Sequence, residues 1–160
     1  MSDTLSLRVA RPQDFTGVLA MLKTFYEEDH IPYVAKQVEP GLQQILQDAR
    51  NGAVLILQSE TPPCVGYIIL GWCFSVEQGG RYVLLDELYL APAVRGRGWG
   101  KQALALARDW AQTQGAAVMR LEVNHHNARA KALYLASGYR DDERDILTLP
   151  LAATQAGLHS

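Results

Sequence analysis

Two adjoining stretches decide how this chain folds. They are Leu85-Asp86-Glu87-Leu88-Tyr89-Leu90 and, just beyond Ala91-Pro92, Arg95-Gly96-Arg97-Gly98-Trp99-Gly100-Lys101. The first reads as the end of a strand over Arg81–Leu90, stopped by Ala91-Pro92. The second is a glycine-rich loop. A helix follows to about Gln114, with Leu104, Ala107 and Ala111 on one face and Gly115 as its C-terminal cap. A strand running through such a loop into a helix is an anion site, because the first helical N–H groups lack intrahelical partners and the helix dipole favours negative charge there. Arg95, Arg97 and Lys101 add positive charge at the same place. The loop is not a P-loop: Arg95 occupies the position of the first glycine, and Gln102 follows the lysine where Ser or Thr would hold magnesium. It is not a dinucleotide fingerprint either, since Lys101 stands where the third glycine of G-x-G-x-x-G belongs.

Upstream, Leu5–Val9 alternates as a short strand. Pro12 and Asp14 start a helix to about Glu28, with Val18, Leu19, Leu22, Phe25 and Tyr26 as its apolar stripe. Pro40 is expected to open a second helix to about Ala49, with Leu42, Ile45 and Leu46 facing inward. Strands are expected over Ala53–Gln58 and Val65–Val76, with a turn at Thr61-Pro62-Pro63 between them. Gly79-Gly80 forms a hairpin into the antiparallel strand Arg81–Leu90. Downstream, Ala117–Val123 reads as a strand and Asn127 as the N-cap of a helix ending at Ser137-Gly138. Tyr139 and Ile146–Leu149 read as a closing pair of short strands. The order βααβββαβαβ predicts an α/β (α+β) fold with a mixed, mostly antiparallel central sheet flanked by helices, not an all-parallel doubly wound one. Residues 1–150 form a single domain, and 151–160 are expected to be a flexible tail.

The 160 residues are 48% hydrophobic and 20% charged. That composition excludes a disordered chain, a collagen and a disulfide scaffold. The net charge of −2 is segregated: −5 over residues 1–94, +5 over 95–131 and −2 over 132–160. No extended basic face points to nucleic acid, and no apolar run is long enough to span a membrane. Cys64 and Cys73 read as small core residues, not as a disulfide, and the N-terminal residues carry no signal-peptide pattern. The expected compartment is the cytoplasm.

Three blocks in order carry a specific resemblance. Arg95-Gly96-Arg97-Gly98-Trp99-Gly100 matches the R/Q-x-x-G-x-G/A signature of the GNAT N-acetyltransferase superfamily. Leu85–Leu90 resembles that family's fourth strand. Asn127-Ala128-Arg129-Ala130-Lys131-Ala132-Leu133-Tyr134, continuing to Gly138-Tyr139, resembles its N-x-x-A-x-x-L-Y-x-x-x-G-F/Y segment. The resemblance covers essentially the whole chain. It implies acetyl-CoA as donor, with no metal required, and an acyltransferase that usually forms homodimers.

By position, the resemblance places the cofactor on Arg95, Gly96, Arg97, Gly98, Trp99, Gly100 and Lys101, with the backbone amides from Arg97 to Lys101 on the pyrophosphate. Leu88, Tyr89 and Leu90 would carry the pantetheine arm as an added strand. Asn127 and Ala130 would meet that arm from the other side. Tyr134 is the expected acid at the departing sulfur. Asp86 and Glu87 are the candidate bases. Regular alternation puts them on opposite faces of the strand, and a β-bulge in this strand, common in the family, would alter that. Two adjacent acids at this strand are similar to those of the polyamine and diamine branch. Tyr26, Glu27 and Glu28, in the acidic run Tyr26-Glu27-Glu28-Asp29-His30, are the expected acceptor-binding residues, and they would favour a small cationic primary amine. His125-His126 lacks a third ligand, so no metal site is expected. The alternatives are acetylation of a protein N-terminus or lysine, and acyl-CoA binding without turnover.

Overall fold

The computed structural model describes residues 4–60 and 64–151. The Thr61-Pro62-Pro63 turn and the tail from Ala152 lie outside the described residues. Strand β1 (Ser6–Val9) leads through a 3-10 turn (Pro12–Asp14) into α1 (Phe15–Glu28). Asp14 fastens this start. Its carboxylate accepts both guanidinium nitrogens of Arg8 at 2.9 Å and the Arg11 N–H at 2.8 Å. Those donors hold its pKa down at about 2.

Helix α2 (Ala35–Gln47) begins earlier than the sequence suggests, and Pro40 lies inside it rather than at its start. Pro40 forfeits one backbone bond, to the Lys36 carbonyl. The flanking residues Ala35 to Glu39 are adequate helix formers, and burial of Leu42 and Leu46 outweighs the loss.

Strands β2 (Gly52–Gln58), β3 (Gly66–Ser75) and β4 (Gly80–Leu90) form an antiparallel meander. After a 3-10 turn at Pro92–Val94, α3 (Trp99–Thr113) crosses over to β5 (Met119–Leu121), which pairs parallel to β4. The sheet order is β1-β2-β3-β4-β5, and α4 (Ala128–Ala136) follows. Two cores lie on the two faces of this sheet. Leu55, Leu57, Ile68, Leu70, Val83 and Leu85 pack under α3. Val54, Ile56, Tyr67, Ile69 and Tyr89 pack under α1 and α2.

Three expectations are corrected. The closing strands do not form among the described residues: Tyr139 to Leu151 carries no strand, and Ile146, Leu147 and Leu149 are exposed. Their alternating pattern is strand-like, but nothing pairs with them. Strand β5 is also shorter than Ala117–Val123, because beyond Leu121 the chain diverges from β4. Neither cysteine is a core residue. Cys64 is exposed ahead of β3, and Cys73 is half-buried on the part of β3 that runs past β2.

Candidate active site

The register of β4 against β3 slips at one point. Glu87 lies opposite Ile69, and Leu85 lies opposite the next residue, Leu70. Asp86 therefore has no partner on β3 and forms a β-bulge. The bulge resets the alternation. Leu85 and Leu88, three residues apart, both serve the α3 side, whereas a regular strand would turn Glu87 to that apolar side. Instead Glu87 shares its face with Tyr67 and Tyr89, under α1. The alternation of β4 therefore breaks at Asp86, and the Asp86 charge still reaches both Glu87 and Tyr26.

Glu87 is half-buried and accepts two phenolic hydrogen bonds, one from Tyr26 at 2.5 Å and one from Tyr67 at 2.8 Å. Burial pushes its carboxyl above the ordinary range, and Asp86 adds to this. The two hydroxyls oppose the shift without cancelling it. Burial and the Glu87 charge in turn raise both phenols, which stay protonated donors. The tip of Asp86 reaches solvent, yet the surrounding protein is dense enough to raise its carboxyl too. Aromatic rings enclose this corner. Phe25 lies edge-on to Tyr26 at 5.9 Å, Tyr26 to Tyr33 at 6.4 Å, and Tyr67 is tilted against Tyr89 at 5.8 Å.

The acidic end of α1 divides. Tyr26 goes to Glu87, Glu28 pairs with Arg95 at 2.5 Å, and Glu27 and Asp29 are exposed. Arg95 is thus committed to Glu28, and its Nε also donates to the Leu90 carbonyl at 2.9 Å. Of the three loop cations, Arg97 and Lys101 are exposed. Arg97 lies over the ring of Trp99, which is itself buried in the core under α3.

Gly96 and Gly98 have φ of +80° and +74°, a left-handed backbone that other residues adopt at a cost. Gly98 is the N-cap of α3, and no side chain caps that end. The first-turn amides of this 15-residue helix are therefore left for an anion. Strand β4 pairs with β5 only over Val83–Leu85, so the edge at Leu88–Leu90 opens where β5 has ended. The loop, the uncapped helix end and the open strand edge fit a pyrophosphate with an extended arm.

On the far side, the Asn127 side chain caps α4 by accepting the Ala130 N–H at 3.1 Å. Gly100 sits close under this helix: a Cβ there would lie 3.3 Å from Leu133. Tyr134 is half-buried, edge-on to Tyr139 at 5.9 Å. Burial first, then the Asp29 charge, holds its phenol in the protonated form. Tyr67 was missed from sequence, hidden in an aliphatic run that reads as core; Asp29 was read only as part of the acidic run, which gives no signal of its effect on Tyr134. Among the described residues no three His, Cys, Asp or Glu side chains cluster to hold a metal, and no helix is long and apolar enough to cross a membrane.

Comparison with known proteins gives the same result as the geometry. Residues 18–139 match the acetyltransferase (GNAT) family. A thialysine N-epsilon-acetyltransferase of Sus scrofa is 32% identical over 146 residues, covering 84% of this chain and 84% of that protein. An aminoalkylphosphonate N-acetyltransferase of Salmonella typhimurium is 28% identical over 140 residues, again covering 84% of each. A crystal structure of an aminoglycoside N-acetyltransferase in complex with CoA superposes with a TM-score of 0.75 at 18% identity, covering 95% of this chain and 98% of that one. The last shows a shared fold. Together with the family match over most of its length, these relationships establish that the chain belongs to the GNAT acetyltransferase family and is an acetyl-transfer enzyme.

Proposed function

We propose that this enzyme moves the acetyl group of acetyl-CoA to a primary amine on a small cationic acceptor, acting as a homodimer in the cytoplasm. The observation that carries the acceptor class is the Glu87 carboxylate, held by two tyrosines inside an aromatic corner with exposed acids at its rim. Aromatic faces and carboxylates together attract an ammonium group. Relatives named for thialysine and aminoalkylphosphonate acetylation support a small amine.

When bound, acetyl-CoA supplies the activated acetyl thioester. The amides of Arg97 to Lys101 would hold its pyrophosphate, with Arg97 and Lys101 neutralising charge. Leu88 would offer strand backbone to the arm, whereas the Leu90 carbonyl is already engaged by Arg95. Glu87 takes the amine proton, directly or through a water. Its raised pKa makes it a better base than an ordinary carboxylate. The amine nitrogen bonds to the acetyl carbon as the carbon–sulfur bond breaks, and the Tyr134 hydroxyl donates to the departing sulfur. Asp86 adds negative charge beside Glu87.

A thiol-release assay with acetyl-CoA across diamines, polyamines, amino-acid derivatives and aminoglycosides tests this. Turnover of at least one cationic amine is expected, with Glu87→Gln lowering kcat/KM by about 10²–10⁴-fold. Turnover confined to peptide N-termini or protein lysines overturns the acceptor class. Acetyl-CoA binding with no turnover of any amine overturns the enzymatic assignment to amines.

A further inference from the structure

The last turn of α1 closes without a glycine. The Asp29 N–H donates to the Phe25 carbonyl at 3.0 Å and the Ile31 N–H to the Tyr26 carbonyl at 2.8 Å, with His30 between them at φ +55°. That left-handed position is the one glycine ordinarily fills at a helix C-terminus. The charge there also has the wrong sign for the helix dipole. Glu27 and Glu28 are acidic, Asp29 follows them, and the last turn carries no basic residue. Yet this turn serves the whole site. Tyr26 donates to Glu87 and, after burial, the Asp29 charge keeps the Tyr134 phenol protonated.

The missing cation comes from the glycine-rich loop. Arg95 Nη2 donates to Glu28 Oε2 at 2.5 Å, and Arg95 Nε donates to the Leu90 carbonyl at 2.9 Å. The guanidinium lies 5.8 Å from the centre of the Tyr89 ring. Exposed ion pairs contribute little because two long side chains must be immobilised. Here the Leu90 carbonyl already fixes the guanidinium, and the Glu28 side chain is only 31% exposed. Leu90 is the last residue of β4, three beyond Glu87. Arg95 therefore joins the end of β4, the start of the loop and the end of α1, with two of its three nitrogens committed to the protein.

We propose that Glu28 and Arg95 are positioning residues that hold the last turn of α1 on the loop, and with it the Tyr26 hydroxyl on Glu87. Neither is then a ligand of the substrates. Glu28 does not bind the acceptor ammonium, and Arg95 does not bind the donor's phosphates, in contrast to the roles the resemblance implies. Glu87 is faced by Tyr26 from α1, by Tyr67 from β3 and by the Asp86 charge on its own strand. Tyr67 is fully buried within the sheet, so its bond to Glu87 is held by the core. Tyr26 hangs from the acidic, glycine-free turn, and its place depends on the strut. With the strut cut, Glu87 keeps Tyr67 and loses part of the Tyr26 bond, which leaves its anion less stabilised. The inference rests on the reading of Glu87 as the base and adds what keeps that base in its setting.

Glu28→Gln, Arg95→Gln and the double variant form a cycle that tests the strut on the full chain. Amide hydrogen exchange read by mass spectrometry needs no turnover. The segment Asp29–Ile31 should exchange about threefold faster in each single variant, and no faster again in the double. Calorimetric titration with coenzyme A should give Arg95→Gln a Kd within about threefold of wild type, against a loss of about tenfold or more for Arg97→Gln. With an amine that the wild type acetylates, the acid limb of kcat/KM should move to higher pH in both single variants, the direction expected for Tyr26→Phe. A raised KM for the amine in Glu28→Gln, with the limb unmoved, makes Glu28 an acceptor ligand and overturns the proposal. A loss of coenzyme A affinity in Arg95→Gln equal to that in Arg97→Gln makes Arg95 a phosphate ligand and also overturns it. Additive effects in the double variant break the link between the two residues. If no amine is turned over, the reading of Glu87 fails by itself, while exchange and coenzyme A binding still decide the strut.

Discussion

At the scale of single residues, the site is defined by how Glu87 is kept both basic and ionisable. Burial alone would drive the carboxyl far up; the Tyr26 and Tyr67 hydroxyls stabilise the anion and limit that rise. The sign of the next prediction follows. If Glu87 is the base, activity needs it deprotonated, so the acid limb of kcat/KM against pH should fall at a pH above the ordinary glutamate value of about 4.3. Tyr26→Phe removes one donor to the anion. The limb should then move to higher pH, with little change on the alkaline plateau. Glu87→Gln should abolish the limb along with most of the rate. A limb that stays in place in Tyr26→Phe would mean that another group is the base. Tyr134 is tested separately. Tyr134→Phe keeps the ring against Tyr139 but removes the hydroxyl, and it should lower kcat by about 10²-fold or more while leaving thermal stability nearly unchanged.

At the scale of elements, most of the strands and helices were legible because their signals are local. The stripe Val18–Leu22–Phe25, the Gly79-Gly80 hairpin and the Asn127 cap each depend on neighbours a few residues away. Pro40 misled because propensity penalises proline inside a helix, while burial of Leu42 and Leu46, which a propensity scale does not see, outweighs one lost bond. Ile146–Leu149 misled for a different reason: its pattern is that of a strand, but among the described residues it pairs with no other strand, and pairing is not a local property of the sequence. The candidate acid pair Asp86 and Glu87 was legible as residues and not as geometry. A bulge at Asp86 is a matter of register between two strands, and no alternation within β4 reveals it.

The same ladder makes an element-scale prediction. Gly66 starts β3 where a Cβ would lie 2.0 Å from the Tyr89 carbonyl, whereas a Cβ at Gly71 on the same strand meets nothing within 4 Å. The carbonyl belongs to β4, next to the site, and cannot rotate aside. Gly66→Ala should therefore cost about 1–3 kcal/mol, and Gly71→Ala should be neutral or stabilising by up to about 1 kcal/mol. Urea melts of the two variants check the contrast, and equal effects would refute it.

At the scale of the molecule, charge and exposed apolar surface are both divided. The cationic stretch 95–131 holds the loop and helix proposed for the anionic donor, and the acidic first 94 residues hold the residues proposed for the acceptor. Exposed apolar side chains stand at the β3–β4 hairpin, Phe74 and Val76, and beyond α4, Ile146, Leu147 and Leu149, and the Arg144–Glu77 ion pair links the two segments. If two copies of the chain associate as proposed, association is linked to folding, and stability must depend on protein concentration. A tenfold rise in concentration contributes about 1.4 kcal/mol per dimer, or about 0.7 kcal/mol per chain. For a chain of this size, 1 kcal/mol moves Tm by about 2–4 °C. Tm should therefore rise by about 1–3 °C for each decade of concentration. Calorimetry over about two decades of concentration measures it. A Tm independent of concentration over that range would count against the proposed homodimer.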